Sequence, residues 1–168
     1  MRHVLLIVLI ASLAHCSPIA TYPPIEVDSA VTFSNSTYEP VPTVLVTSIE
    51  YARDHFGGID AVVYNLPQGM TGETYDIVTS RIENSRPMQS AEELAYHITQ
   101  LRVRGLRAEA DVVYPVGEGR YKTATIYLTK SIAVPWTVKR ARVWAIPVSM
   151  VPAPNYSETE QAVSVDSQ

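Results

Sequence analysis

The stretch from His97 to Leu128 constrains the fold most, because its side chains sort onto two faces only as a strand meander. With Gly105-Leu106 as a two-residue hairpin loop, glycine comes first, as a type II′ turn prefers. Val103 then faces Ala108, Leu101 faces Ala110, Thr99 faces Val112 and His97 faces Tyr114. The opposite face pairs Arg102 with Glu109 and Gln100 with Asp111. A one-residue slip would exchange the two sets, so this register is strongly specified. A helical pattern competes: Ser90 and Glu93 have capping-box spacing, and Ala91, Leu94, Ile98 and Leu101 form a stripe. The hairpin sorts more positions, so it is preferred, after a short helical turn at Ser90 to Ala95.

The Gly117-Glu118-Gly119 loop extends the meander. With Val116 opposite Arg120, Ala124 meets Val112, Ile126 meets Ala110 and Leu128 meets Ala108. Tyr121, Thr123, Thr125 and Tyr127 then form an outer face of good strand formers. A last strand from Trp136 to Ile146 completes the sheet.

The preceding segment reads as helical around one strand. Leu45, Ile49, Ala52 and Phe56 recur at helical spacing after Thr43 as cap, and Gly57-Gly58 stops them. Ile59 to Leu66 is β-branched and bounded by glycine and proline, hence a strand. A second helix is expected from Gly72 to Glu83, capped by Thr71, with Tyr75, Val78 and Ile82 on its apolar side. The expected class is α+β: two N-terminal helices on one face of a curved, mostly antiparallel sheet of about five strands.

The ends read differently. Arg2 and His3 precede an apolar run from Val4 to Ala14, and Cys16, the only cysteine, follows His15. A basic start, a short apolar core and small residues at its end mark a secretory leader over residues 1–16. The core is about eleven residues, short of the roughly 20 that span a bilayer. Leu13-Ala14-His15-Cys16 resembles the lipobox of bacterial lipoproteins, which implies acylation of Cys16. Ordinary cleavage after Ala14 or after Cys16 is the other reading, His15 being larger than the residue lipoboxes place before the cysteine. Residues 17–42 hold five prolines and read as an extended linker, with a short strand at Val27 to Phe33. Residues 149–168 have little to bury and are expected to be disordered. The folded domain is expected over 43–148.

The strands Leu101 to Ala108 and Trp136 to Val143 resemble the late strands of NTF2-like and cystatin-like α+β domains. That resemblance implies helices wrapped on a curved sheet, and a small-molecule pocket on the concave face.

The chain carries 13 Lys+Arg against 17 Asp+Glu, a formal charge of −4. That balance argues against nucleic acid as a partner. One cysteine excludes a Cys-based zinc cluster within the chain, and no metal or cofactor motif stands out. His55 falls in the last turn of the first helix, where a cation complements the dipole. His97 and Tyr114 share the inner face in the expected register, where they could serve acid–base chemistry beside a cavity. On the last strand, regular alternation would place Trp136, Val138, Arg140, Arg142, Trp144 and Ile146 on one face. Arg140, Arg142 and Trp144 there suit an anionic or aromatic ligand. A bulge between Lys139 and Ala141, or a protected edge strand, is the structural alternative. The combined expectation is an exported, non-catalytic cell-envelope protein, lipid-tethered or periplasmic, that binds an envelope protein or a small ligand. An NTF2-like binder or enzyme with a pocket on the concave face is the alternative.

Overall fold

Alternation in the meander becomes three long strands, and the rest of the chain is built around them. The computed structural model describes residues 19–24, 35–57, 61–117 and 119–156. The expected leader with Cys16, the strand at Val27 to Phe33 and residues 157–168 lie outside these. In chain order the elements are β1 (Ile19–Tyr22), α1 (Val41–Phe56), β2 (Val62–Asn65), α2 (Gly72–Arg81), β3 (Ser85–Pro87), β4 (Tyr96–Arg104), β5 (Arg107–Pro115), β6 (Tyr121–Thr129) and β7 (Thr137–Trp144). The fold is α+β, with two helices and an open, mixed sheet of seven strands rather than about five. The order is β3-β2-β4-β5-β6-β7, and β1 pairs with β4 off this path. No helix among the described residues is long and apolar enough to cross a membrane.

Both hairpin registers are present. Val103 pairs with Ala108 and Leu101 with Ala110, then Ala110 with Ile126 and Val112 with Ala124. Gly105 has φ 57 while Leu106 stays out of the positive-φ region, as a type II′ loop requires. Ser90 to Glu93 forms a single turn, closed by the Glu93 amide on the Ser90 carbonyl at 3.2 Å, and β4 begins at Tyr96.

Two one-residue bulges change the outcome. The first lies between Ile98 and Gln100, so Ile98 pairs with Val112 and His97 with Val113. The second leaves Lys139 unpaired between Val138 opposite Leu128 and Arg140 opposite Tyr127. Each bulge shifts the alternation by one, and every residue beyond it changes face. The first lies where β4 exchanges its edge partner. Parallel β2 pairs Tyr64 and Asn65 with Tyr96 and His97, and antiparallel β1 pairs Ile19 to Tyr22 with Arg104 to Leu101.

The expected linker therefore starts as sheet. Ala20 and Tyr22 are buried in the core, and only Ser17 and Pro18 separate Cys16 from β1 in the sequence. Ser85 to Pro87, just past α2, pairs in parallel with β2 and completes a small βαβ unit.

Helix α1 begins three residues earlier than expected. Pro40 stands at its N-cap with no side-chain cap, and Pro42 lies in the first turn, where a missing N–H removes no helical bond. Thr43 is thus inside the helix, where its carbonyl accepts from Thr47 Oγ1. Thr71 does cap α2, accepting from the Thr74 amide at 3.3 Å. The inner sheet face (Ile98, Leu101, Val103, Ala108, Ala110, Val112, Ala124, Ile126, Leu128) is buried in one cluster with Val44, Leu45, Ile49 and Ala52 of α1. Alanines at 108, 110 and 124 give the helix room to approach.

Candidate functional site on the open sheet face

The sheet face turned away from α1 is polar, and its side chains are bonded across four strands. Trp144 on β7 donates its indole N–H to Thr125 Oγ1 on β6 at 3.0 Å. Thr125 donates to Asp111 Oδ1 on β5 at 2.6 Å. Asp111 Oδ2 accepts from the Arg102 guanidinium on β4 at 2.9 Å. Arg102 also pairs with Glu109 at 3.2 Å and bonds Gln100. Burial works against the Arg102 charge, but the hydrogen bond and charge of Asp111, with Glu109, outweigh it and raise its pKa. These bonds link side chains of four adjacent strands, which favours one arrangement of the band.

Beside the band stand two cation–aromatic stacks. The Arg140 guanidinium lies 4.2 Å from the centre of the Tyr127 ring, and that of Arg142 lies 4.0 Å from the Trp144 ring. Neither arginine has an ion-pair partner among the described residues, so their N–H edges remain available. A shallow hollow of about 530 Å³ opens here, lined by Thr99, Arg102, Asp111, Tyr127, Trp144 and Ile146 among others. Planar guanidinium groups fixed on rings can bind carboxylate or phosphate oxygens in pairs.

The expected site residues divide between the faces. Arg140, Arg142 and Trp144 come together on the outer face. Trp136 and Val138 do not join them, because the Lys139 bulge turns both inward, and Trp136 is 7% exposed in the core. Tyr114 lies on the inner face, where Phe56 of α1 stacks on it with centroids 4.5 Å apart. His97 does not face Tyr114: the bulge after Ile98 carries it to the outer side, opposite Val113. His55 sits in the last turn of α1, stacked on Tyr51 with Nδ1 3.0 Å from the Tyr51 carbonyl.

His97 is 1% exposed, between the Tyr121 ring and Asn65. Its Nδ1 is 3.4 Å from the Asn65 amide nitrogen, and its Nε2 is buried without a partner. Burial lowers its pKa to about 4, so the ring is neutral near pH 7.

Asn65 is the polar residue that the sequence did not single out. Its Nδ2 donates to the Ala153 carbonyl at 2.7 Å, and its Oδ1 accepts from the Asn155 amide at 2.9 Å. Asn155 Nδ2 in turn donates to the Leu66 carbonyl, and the Tyr156 ring tilts against Tyr75. Residues 151–156, expected to be disordered, are therefore latched onto β2 and α2. Burial raises the Tyr64 hydroxyl to about 12 and Tyr75 higher still, which keeps both protonated around this latch. No cluster of three or more His, Cys, Asp or Glu suited to a metal occurs among the described residues. No protein-family model, curated protein or solved structure matches the chain.

Proposed function

We propose that the chain is an exported, non-catalytic envelope protein that binds an anionic partner through its open sheet face. Export rests on the leader pattern in residues 1–16; Cys16 is the point of lipid attachment if the lipobox resemblance holds. The observation that supports the binding surface is the pair of stacked arginines, Arg140 on Tyr127 and Arg142 on Trp144, beside the hollow. A network spent on internal hydrogen bonds supplies rigidity, and the two unpaired guanidinium groups supply the contact.

The alternative, an NTF2-like pocket under the helices, has less support. Leu45, Ile49 and Ala52 are fully buried against the inner face, and His97 lies on the other side. A photoreactive amino acid at Ile146 in producing cells is expected to give one adduct that Arg140→Glu with Arg142→Glu abolishes. The same group at Glu73 on α2 serves as the control; equal adducts at both positions defeat the reading. Mass spectrometry of the mature N-terminus decides the anchor, since an unmodified Ser17 start excludes it.

A further inference from the structure

We infer that the loop end of the sheet, where β1 begins, is a docking rim for an anionic lipid surface. Three observations on different elements converge there. The first is charge. Arg104 and Arg107 are register partners closing the β4–β5 hairpin, a like-charged pair directly opposite each other, which is unfavourable in a sheet. Neither has an ion-pair partner among the described residues, and they share with Thr21 a hollow of about 380 Å³. Lys130 joins them, because its amide donates to the Leu106 carbonyl at 2.9 Å and ties the β6–β7 loop to the hairpin. Nearby Glu39 pairs with Arg81 at 2.7 Å, and Glu109 pairs at 3.2 Å with Arg102, which it shares with Asp111.

The second observation is exposed apolar surface on the same loops. Ile132 is fully exposed at the tip of the β6–β7 turn, which Ser131 and Val134 close, and Leu106 is 56% exposed at the hairpin tip. Val134 is also exposed, and Tyr38 leads into the same rim at Pro40. Aliphatic tips with cations just behind them match the headgroup boundary of a bilayer, where chains bury apolar groups and meet anionic phosphates.

The third is where the chain leaves the described structure. Ile19 pairs with Arg104, so β1 starts at this rim. Cys16 is three positions earlier, a reach of at most about 10 Å. An acyl chain there would hold the body against the membrane by this end, without a stalk. The rim does not depend on that anchor and would add a second attachment to it, fixing which end of the body faces the bilayer.

Vesicle co-sedimentation of the full chain tests the rim, comparing phosphatidylcholine with phosphatidylcholine–phosphatidylglycerol mixtures. A leader or acyl chain contributes to both, so the preference between them isolates the cations. Wild type is expected to prefer the anionic vesicles, and to lose that preference as salt rises. Arg104→Gln with Arg107→Gln and Lys130→Gln is expected to reduce the preference by about a hundredfold, each cation near the surface being worth about a factor of five. Ile132→Ser should weaken binding to both vesicle types by about tenfold, with the preference retained. Circular dichroism checks that each variant folds. Equal binding of wild type to both vesicles, or a preference that survives the triple substitution, overturns the inference. So does a concentration-dependent dimer that loses vesicle binding, which would assign the rim to a second copy.

Discussion

The two faces of one sheet use the same strands for opposite ends. The inner face is apolar, with small residues where α1 lies against it. The outer face is polar, and its order comes from directional bonds that run from Trp144 to Arg102. Burial there is partial, so each charged bond is screened and contributes modestly. Stability is therefore expected to reside on one side of the sheet and recognition on the other. The bulges at Thr99 and Lys139 decide which side chains belong to which.

Inserting one further residue after Thr99 should break that division most severely. The added residue would carry His97 and Ile98 to the opposite faces of the sheet or pull His97 away from Asn65 on β2. Loss of cooperative unfolding in a denaturant titration is the expected result; retained wild-type stability would show that the bulge assigns nothing. The pH response of His97 comes next. Its folded pKa of about 4 lies below the ordinary value near 6.5, so the unfolded chain takes up the proton first. The stability due to neutral His97 is complete above about pH 6.5 and declines as the pH falls toward 4, by about 3 kcal/mol over that window. His97→Leu should flatten that part of the stability–pH profile.

Asp111→Ala should be milder. It removes the acceptor shared by Thr125 and Arg102, and a cost of about 1–2 kcal/mol is expected for a half-exposed network. Chemical denaturation reads it, and a cost above that of Leu45→Ala in the core, about 2–5 kcal/mol, would contradict the contrast between faces. Smallest is Arg142→Ala, where an exposed cation–π contact is worth about 0.5 kcal/mol. Near-unchanged stability together with loss of the Ile146 adduct would separate recognition from folding.

Much of the meander was legible because a sheet with one buried face enforces its register. The pairings of Leu101, Ala110 and Ile126 follow from hydrophobic alternation alone. The β4 bulge is not among the expectations and the β7 bulge enters only as the alternative, yet both leave one trace: two apolar residues three apart on a strand. Ile98 and Leu101 on β4, and Val138 and Ala141 on β7, all turn toward the core. Strict alternation instead placed His97 inside beside Tyr114 and grouped Trp136 with Trp144. β1 was hidden for another reason. Four residues between Pro18 and Pro23 resemble a spacer, and only β4, distant in sequence, gives them a partner. β3 is equally short, and its pairing with β2 depends on a crossover through α2. The Asn65 latch had no pattern to betray it, since one asparagine holds a proline-spaced segment by its backbone.

The placement of β1 has a consequence for the order of assembly. Its residues are the first described in the chain, but the strand that receives them ends at Arg104, behind both helices and the βαβ unit. Closing that contact fixes a loop spanning most of the domain, an entropically late event. A nascent polypeptide would expose the upper edge of β4 until its own beginning returned to cover it. Pulse-labelled hydrogen exchange should accordingly find Ala20 to Tyr22 protected after the β4–β5–β6 meander, with the last gap in the sheet filled by its first strand in chain order.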